Sequence, residues 1–314
     1  MNALFDIILP VFVILGFGYF VTWRGWFSQS AVDGLMNFAQ NFAVPALLFA
    51  SMSRLDLGTQ FRASLLLPFY SGALASYLLG WAGARFLFKR PPEDCVAIGF
   101  VCLFSNTLLL GVPITERAYG PDALDGNWVI IALHSPFFYT FGITAMEFTR
   151  ARGSNLSIGR IALRALTGVL RTPLVIGVLS GLAMNLLLRA GLSLPNGFWA
   201  AVDMITRAAL PAALFGLGGV LVRYRPEGDM ATILMCCICS LLIHPAIALG
   251  LATAFGLDIA GIRSSVVTAA MAPGVNAYFF ANIYGRAKRV AASSVLVGTA
   301  FSIVTIWFWL AVLP

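Results

Sequence analysis

The sequence predicts an all-α polytopic membrane protein in which ten transmembrane helices form two inverted five-helix repeats, with crossing broken helices as spans 4 and 9. Three observations predict it: a composition unlike that of soluble domains, ten apolar stretches of membrane length, and short segments that recur at one offset. Of 314 residues, 60% are hydrophobic and 11% charged, with a mean hydropathy of +0.89, against roughly 25% charged in a soluble domain. A span needs about 20 apolar residues. That ruler places helices at 5–23, 36–53, 63–88, 94–114, 126–149, 169–189, 198–222, 231–255, 259–284 and 290–313.

The first span has no basic residue ahead of it and no small-residue cleavage site after it, so it reads as a retained helix and not a signal peptide. In the second span Ala43-Val-Pro45-Ala-Leu-Leu-Phe49 is echoed by Ala209-Leu-Pro211-Ala-Ala-Leu-Phe215 in the seventh, at an offset of 166. Gly16 and Arg24 match Gly181 and Arg189 at 165, as Tyr119-Gly120 matches Tyr284-Gly285. Several matches at nearly one offset mark an internal repeat. Five is odd, so the second half enters the membrane the other way up. Inverted repeats with a discontinuous helix in each half are a hallmark of secondary transporters. Residues 1–149 form the first repeat, 150–168 a cytoplasmic linker carrying Gly153, Ser154 and Asn155, and 169–314 the second repeat.

Charge orients the spans. Fourteen of the 20 basic residues fall in loops on one side: Arg24; Arg85, Lys89 and Arg90; Arg150, Arg152, Arg160, Arg164 and Arg171; Arg223 and Arg225; Arg286, Lys288 and Arg289. Six lie opposite, with both termini: Arg54, Arg62, Arg117, Arg189, Arg207 and Arg263. The positive-inside rule puts the fourteen in the cytoplasm and both chain ends outside. The net charge of +7 therefore carries no nucleic-acid meaning. Cys95, Cys102, Cys236, Cys237 and Cys239 lie in apolar runs and read as packing residues, without disulfides, and with no suitably spaced partner for a metal. No cofactor is expected. Gly-x-Ser-x-Gly and His-Glu-x-x-His are both absent from the sequence, so neither of those enzyme classes is indicated.

Two spans lose helical character at mid-depth. From Asp94 to Tyr119 an apolar run meets Ser105-Asn106-Thr107, Gly111 and Pro113, and from Ile259 to Tyr284 one meets Pro273, Gly274 and Asn276. Proline removes an amide donor and clashes with the preceding turn, and glycine weakens the helix further. Unwound backbone survives at that depth only where protein or a water-filled cavity covers it. Each half-helix N-terminus carries roughly +0.5 charge and free amides that attract an anion. Asn106 and Asn276 offer donors and acceptors, with Ser105 and Thr107 as further hydroxyls. No lysine or arginine falls clearly inside the core, which suits weak, releasable binding of a carboxylate. Gly111 is expected to be unwound and intolerant of bulk.

The remaining intramembrane polar residues divide by position. His134 in span 5 is a candidate for substrate or proton binding. His244, directly before Pro245, is expected to satisfy the carbonyl that this proline frees. Asn37, Asn41 and Asn185 read as interhelical glue, and Pro45 and Pro211 as kinks. Glu147, Asp203 and Asp6 lie near span ends, where solvated positions are expected.

Asn-x-x-x-x-Gly-x-Pro from Asn106 to Pro113, Pro-Gly-x-Asn from Pro273 to Asn276, and Asn41-Phe-Ala-Val-Pro45-Ala-Leu-Leu-Phe49 together resemble the auxin efflux carrier family, over the whole chain. That family includes plant auxin carriers and compact bacterial malate or malonate permeases, and is related in fold to bile acid sodium symporters. The resemblance implies a crossover of the two broken helices and a transport domain of spans 3–5 and 8–10. It also implies a scaffold of spans 1, 2, 6 and 7 that forms a homodimer, and elevator movement of a small organic anion across the cell (inner) membrane. Malate, malonate and auxin-like acids all stay open as substrates. Coupling to protons, to sodium or to neither is open as well. The middles of spans 3, 4, 8 and 9 hold no acidic residue, which favours protonation of His134 or no coupling over a sodium site. A channel or sensor is the alternative class, since pore linings also use broken helices.

Overall fold

The computed structural model describes residues 4–150 and 170–314, together with 159, 163 and 166–168 between them. Arg152, Gly153, Ser154, Asn155, Arg160 and Arg164 of the expected linker lie outside the described residues. Among the described residues the chain is helical, without a named strand. Seven helices among the described residues are long and apolar enough to cross a membrane: α1 (Phe5–Trp23), α2 (Gln29–Arg54), α3 (Ala63–Leu87), α6 (Pro121–Arg150), α8 (Asn196–Leu221), α9 (Met230–Ala254) and α12 (Lys288–Val312). A shorter apolar helix, α7 (Pro173–Arg189), precedes α8. The fourth and ninth stretches are each divided, into α4 (Pro92–Leu103) and α5 (Val112–Tyr119), and into α10 (Ile259–Ala269) and α11 (Val275–Tyr284).

Prolines explain most of the local irregularity. Wide π-turns cover Leu4–Ile8, Ala39–Ala43, Thr107–Gly111 and Cys239–Ile243, and each ends two residues before a proline: Pro10, Pro45, Pro113 and Pro245. A proline inside a helix leaves one carbonyl unpaired and collides with the turn before it. A π-turn relieves the collision and lets the helix continue. Helix α2 starts at Gln29, earlier than the apolar pattern suggests, because the Ser28 hydroxyl accepts from Ala31 N at 3.2 Å and caps a polar first turn.

The chain divides into two compact units. One comprises Pro10–Phe61 and Thr167–Arg223. Within it, glycines bring backbones together, as small residues do in membranes. A Cβ on Gly181 would lie 2.6 Å from Phe49 O, and one on Gly18 would collide with Phe215 O. Phe49 and Phe215 hold the same place in the two recurring segments. Asn185 is interhelical glue as expected: its Nδ2 lies 3.0 Å from Met52 O, 3.0 Å from Ser53 O and 2.7 Å from Leu55 O. Asn41 instead donates to Asn37 on its own helix. Asp203 is paired with Arg54 at 2.9 Å, near a span end as expected.

The other unit comprises Met1–Leu9, Arg62–Leu166 and Tyr224–Pro314, and it holds both divided spans. At one end of its helices Glu93 accepts from Arg150 Nε at 3.0 Å and from Arg286 Nε at 2.8 Å, joining α4, α6 and the turn after α11. Partial burial raises the Glu93 carboxyl, but the two guanidinium hydrogen bonds and charges outweigh it and hold the group below the ordinary carboxylate range. A depressed carboxyl stabilises the fold above its unfolded pKa of about 4.3, and the contribution disappears as pH falls through the folded value. Glu93→Gln is therefore expected to lower the thermal midpoint at pH 7 and to flatten its decline on acidification. Superimposable midpoint-versus-pH curves for the two proteins in detergent would show that this junction contributes nothing.

Candidate substrate site

Helix α4 stops at Leu103, and Phe104 (φ −91°, ψ 83°) and Asn106 (φ −79°, ψ 61°) leave the helical region. Helix α10 stops at Ala269, and Gly274 is extended at φ −75° and ψ 154°. The two interruptions meet. Asn106 N donates to Ala272 O at 2.8 Å, Gly274 N donates to Phe104 O at 2.8 Å, and Ser105 faces Pro273 as an isolated antiparallel bridge. Ser105 and Pro273 thus form the non-hydrogen-bonded pair of a minimal ladder, the one position where an imino acid forfeits no bond. The unwound backbone covers its own polar groups, as an apolar surrounding demands.

Three close approaches hold the crossing. A Cβ on Gly274 would lie 3.3 Å from Phe104 Cδ1 and 3.6 Å from Asn106 Cα, so glycine lets the two strands touch. A Cβ on Gly298 of α12 would lie 2.7 Å from Pro273 Cδ. The rings of Phe100 on α4 and Phe280 on α11 stack at 4.0 Å.

The structure brings Ser105, Asn106, Thr107, Pro273 and Gly274 together at this crossing. Asn276 lies in the first turn of α11, half-buried, and its carbonyl accepts from the Tyr139 hydroxyl at 3.3 Å. Asn106 is 8% exposed and its side-chain amide has no hydrogen-bond partner among the described residues. The Ser105 hydroxyl is 1% exposed and also without a partner among them. No charged side chain is buried among the described residues. The resumed helices, a π-turn from Thr107 running into α5 and then α11, both begin at the crossing, so two sets of N-terminal amides open there.

Two expectations need correction. Gly111 is not unwound. It is helical (φ −64°), its amide donates to Asn106 O at 3.2 Å, and a Cβ there would meet Met271 Cγ at 3.4 Å, an ordinary contact. Pro113 follows the π-turn that begins at Thr107, which spares its ring the collision with the preceding turn; the break lies earlier, at Phe104–Asn106. The carbonyl that Pro245 frees is that of Leu241, and Trp309 Nε1 donates to it at 2.8 Å. His244 Nε2 pairs instead with Phe69 O at 3.1 Å.

His134 packs beside the crossing, its ring against that of Phe104, whose carbonyl belongs to the ladder. It is 2% exposed, with the rings of Phe104 and Phe138 at 4.5 and 4.8 Å, and its Nε2 has no partner among the described residues. Sequence reasoning missed Asn127. Fully buried at the start of α6, it donates through Nδ2 to Thr115 Oγ1 of α5 and to Thr268 Oγ1 of α10, both at 3.0 Å. It ties the second half of one divided span to the first half of the other. Its place near a span end gave it no prominence in the sequence.

Long apolar helices, and two interrupted spans that exchange backbone hydrogen bonds, fit a membrane-embedded transport protein. The pattern of the membrane transport protein family matches residues 3–310, and the chain belongs to that family, which includes the auxin efflux carriers. A relative in Rhizobium meliloti (strain 1021), named "Putative malonate transporter", is 23% identical over 98% of this chain and 94% of its own length. An uncharacterized transporter of Escherichia coli (strain K12) is 23% identical over 97% of this chain and 96% of its own length. Auxin efflux carrier component 3a of Oryza sativa subsp. japonica is 26% identical over 46% of this chain and 24% of its own length.

Proposed function

We propose that the protein is a secondary carrier of small organic anions, which binds a carboxylate at the crossing and moves it by an elevator-type alternation. The observation that carries this reading is the meeting of two resumed helix N-termini beside Asn106, Asn276 and the unpartnered Ser105 hydroxyl, with no buried cation among the described residues. Amide dipoles attract an anion without the tight hold of a buried arginine. Such a site releases its cargo.

In this reading the ten apolar stretches are ten spans in two inverted repeats. The unit holding both divided spans is the moving part, and the unit of Pro10–Phe61 and Thr167–Arg223 is the scaffold through which two copies pair. The approaches of Gly18 to Phe215 and of Gly181 to Phe49 agree with a repeat, since each half supplies a glycine against the recurring segment of the other. Both termini lie outside the cell membrane, with the basic loops in the cytoplasm. The relative named for malonate makes a small dicarboxylate the first substrate to test, and the auxin relatives make an aromatic monocarboxylate the second.

The test is uptake of labelled malonate, malate and indole-acetate into liposomes containing the purified protein. A rate that saturates with concentration is expected for at least one of them. A flux that grows without limit would identify a channel, and no flux of any carboxylate would end the proposal.

A further inference from the structure

A long groove runs between α3 and α6 of the unit that holds the divided spans, and none of the residues that line it belongs to the crossing. Its larger part measures about 940 Å³ and lies among apolar side chains that include Leu74, Phe137 and Phe141. A second stretch of about 440 Å³ continues it past Trp81 to Arg85. Ala145 and Phe148 line both, so the two stretches form one channel. The residues lining it advance together along α3 and α6, from Leu66 and Leu133 at one end to Arg85 and Thr149 at the other.

Charge distinguishes the Arg85 end. Of the basic residues there, Arg90 is paired with Asp229 and Arg150 with Glu93. Arg85 and Lys89 are exposed and have no carboxylate partner among the described residues. An apolar channel capped by an unpaired guanidinium suits an amphiphile with an acidic head. Trp81 beside Arg85 matches the aromatic and basic side chains that mark a bilayer interface. From Arg85 back to Leu74 the helix covers about 16 Å, half of the roughly 30 Å hydrocarbon core. That is the depth of one leaflet.

We infer that this groove is a binding site for an anionic phospholipid, its acyl chains against Leu74, Phe141 and Phe148 and its phosphate at Arg85. Basic pockets between membrane helices bind such headgroups. Occupation would bridge α3 and α6 on the face where neither helix covers the other.

Trp81 reports on the site directly. The full chain is placed in phosphatidylcholine nanodiscs with rising fractions of phosphatidylglycerol, brominated in its acyl chains, or of equally brominated phosphatidylcholine. The Trp81 signal is taken as the difference from Trp81→Phe. Half-maximal quenching is expected at a mole fraction at least threefold lower for the anionic lipid. Arg85→Gln should abolish that preference, and Arg85→Lys, which keeps the charge, should retain most of it. Equal quenching by the two lipids in the unaltered protein would overturn the inference, as would a preference that persists in Arg85→Gln. If Arg85→Gln fails to fold, Arg85→Lys losing the preference while folding normally would overturn it too.

Discussion

Asn106→Ala and Asn276→Ala are each expected to weaken carboxylate binding by about ten- to a hundredfold, the scale of one lost hydrogen bond to a charged group. The double variant should show no saturable uptake. Both substitutions remove an amide and leave the backbone ladder between Phe104, Asn106, Ala272 and Gly274 in place, so the thermal midpoint should change little. Equilibrium binding to purified protein, read beside its thermal unfolding, separates the two effects. Unaltered affinity in both single variants would remove these side chains from the site.

The second large effect is steric. Gly298→Val would drive a side chain into the Pro273 ring, where even a Cβ would stand 2.7 Å from Cδ. The ring cannot yield without moving the bridge to Ser105. Overpacking of this kind costs about 1–3 kcal/mol, and here it would be spent on the crossing itself. We expect a lower thermal midpoint together with a loss of carboxylate affinity. Gly111→Ala is the matched control: its new methyl meets Met271 at 3.4 Å and Asn106 O at 3.9 Å, both ordinary contacts, and should leave both stability and affinity close to normal. Wild-type affinity in Gly298→Val would mean that the crossing is not held by α12.

Much of this was legible in the sequence, for identifiable reasons. Apolar stretches of membrane length and the Pro-Gly pair at 273–274 state their meaning locally, because the cost of bare backbone in lipid leaves few alternatives. The same holds for Ser105-Asn106-Thr107. Gly111 and Pro113 misled because propensity shows that a helix is weak without showing where it yields. The chain gives way at Phe104–Asn106, where a second segment can supply the missing hydrogen bonds, and Pro113 is carried in the helix that resumes at Thr107. Gly298 and Asn127 were invisible for a different reason. Their importance lies in partners 25 and 141 residues away, Pro273 and Thr268, and no local pattern records such a contact. His134 was visible as an intramembrane histidine, but its packing against Phe104 of the crossing was not, because that contact spans 30 residues of sequence.

The most direct measurement is a density map of the protein saturated with the carboxylate that raises its thermal midpoint most. A ligand in contact with the Asn106 and Asn276 side chains, carboxylate toward the amides that open α11 and the turn at Thr107, is the expected result. Clear density for the same ligand elsewhere, with the space between the two interrupted helices empty, would contradict it.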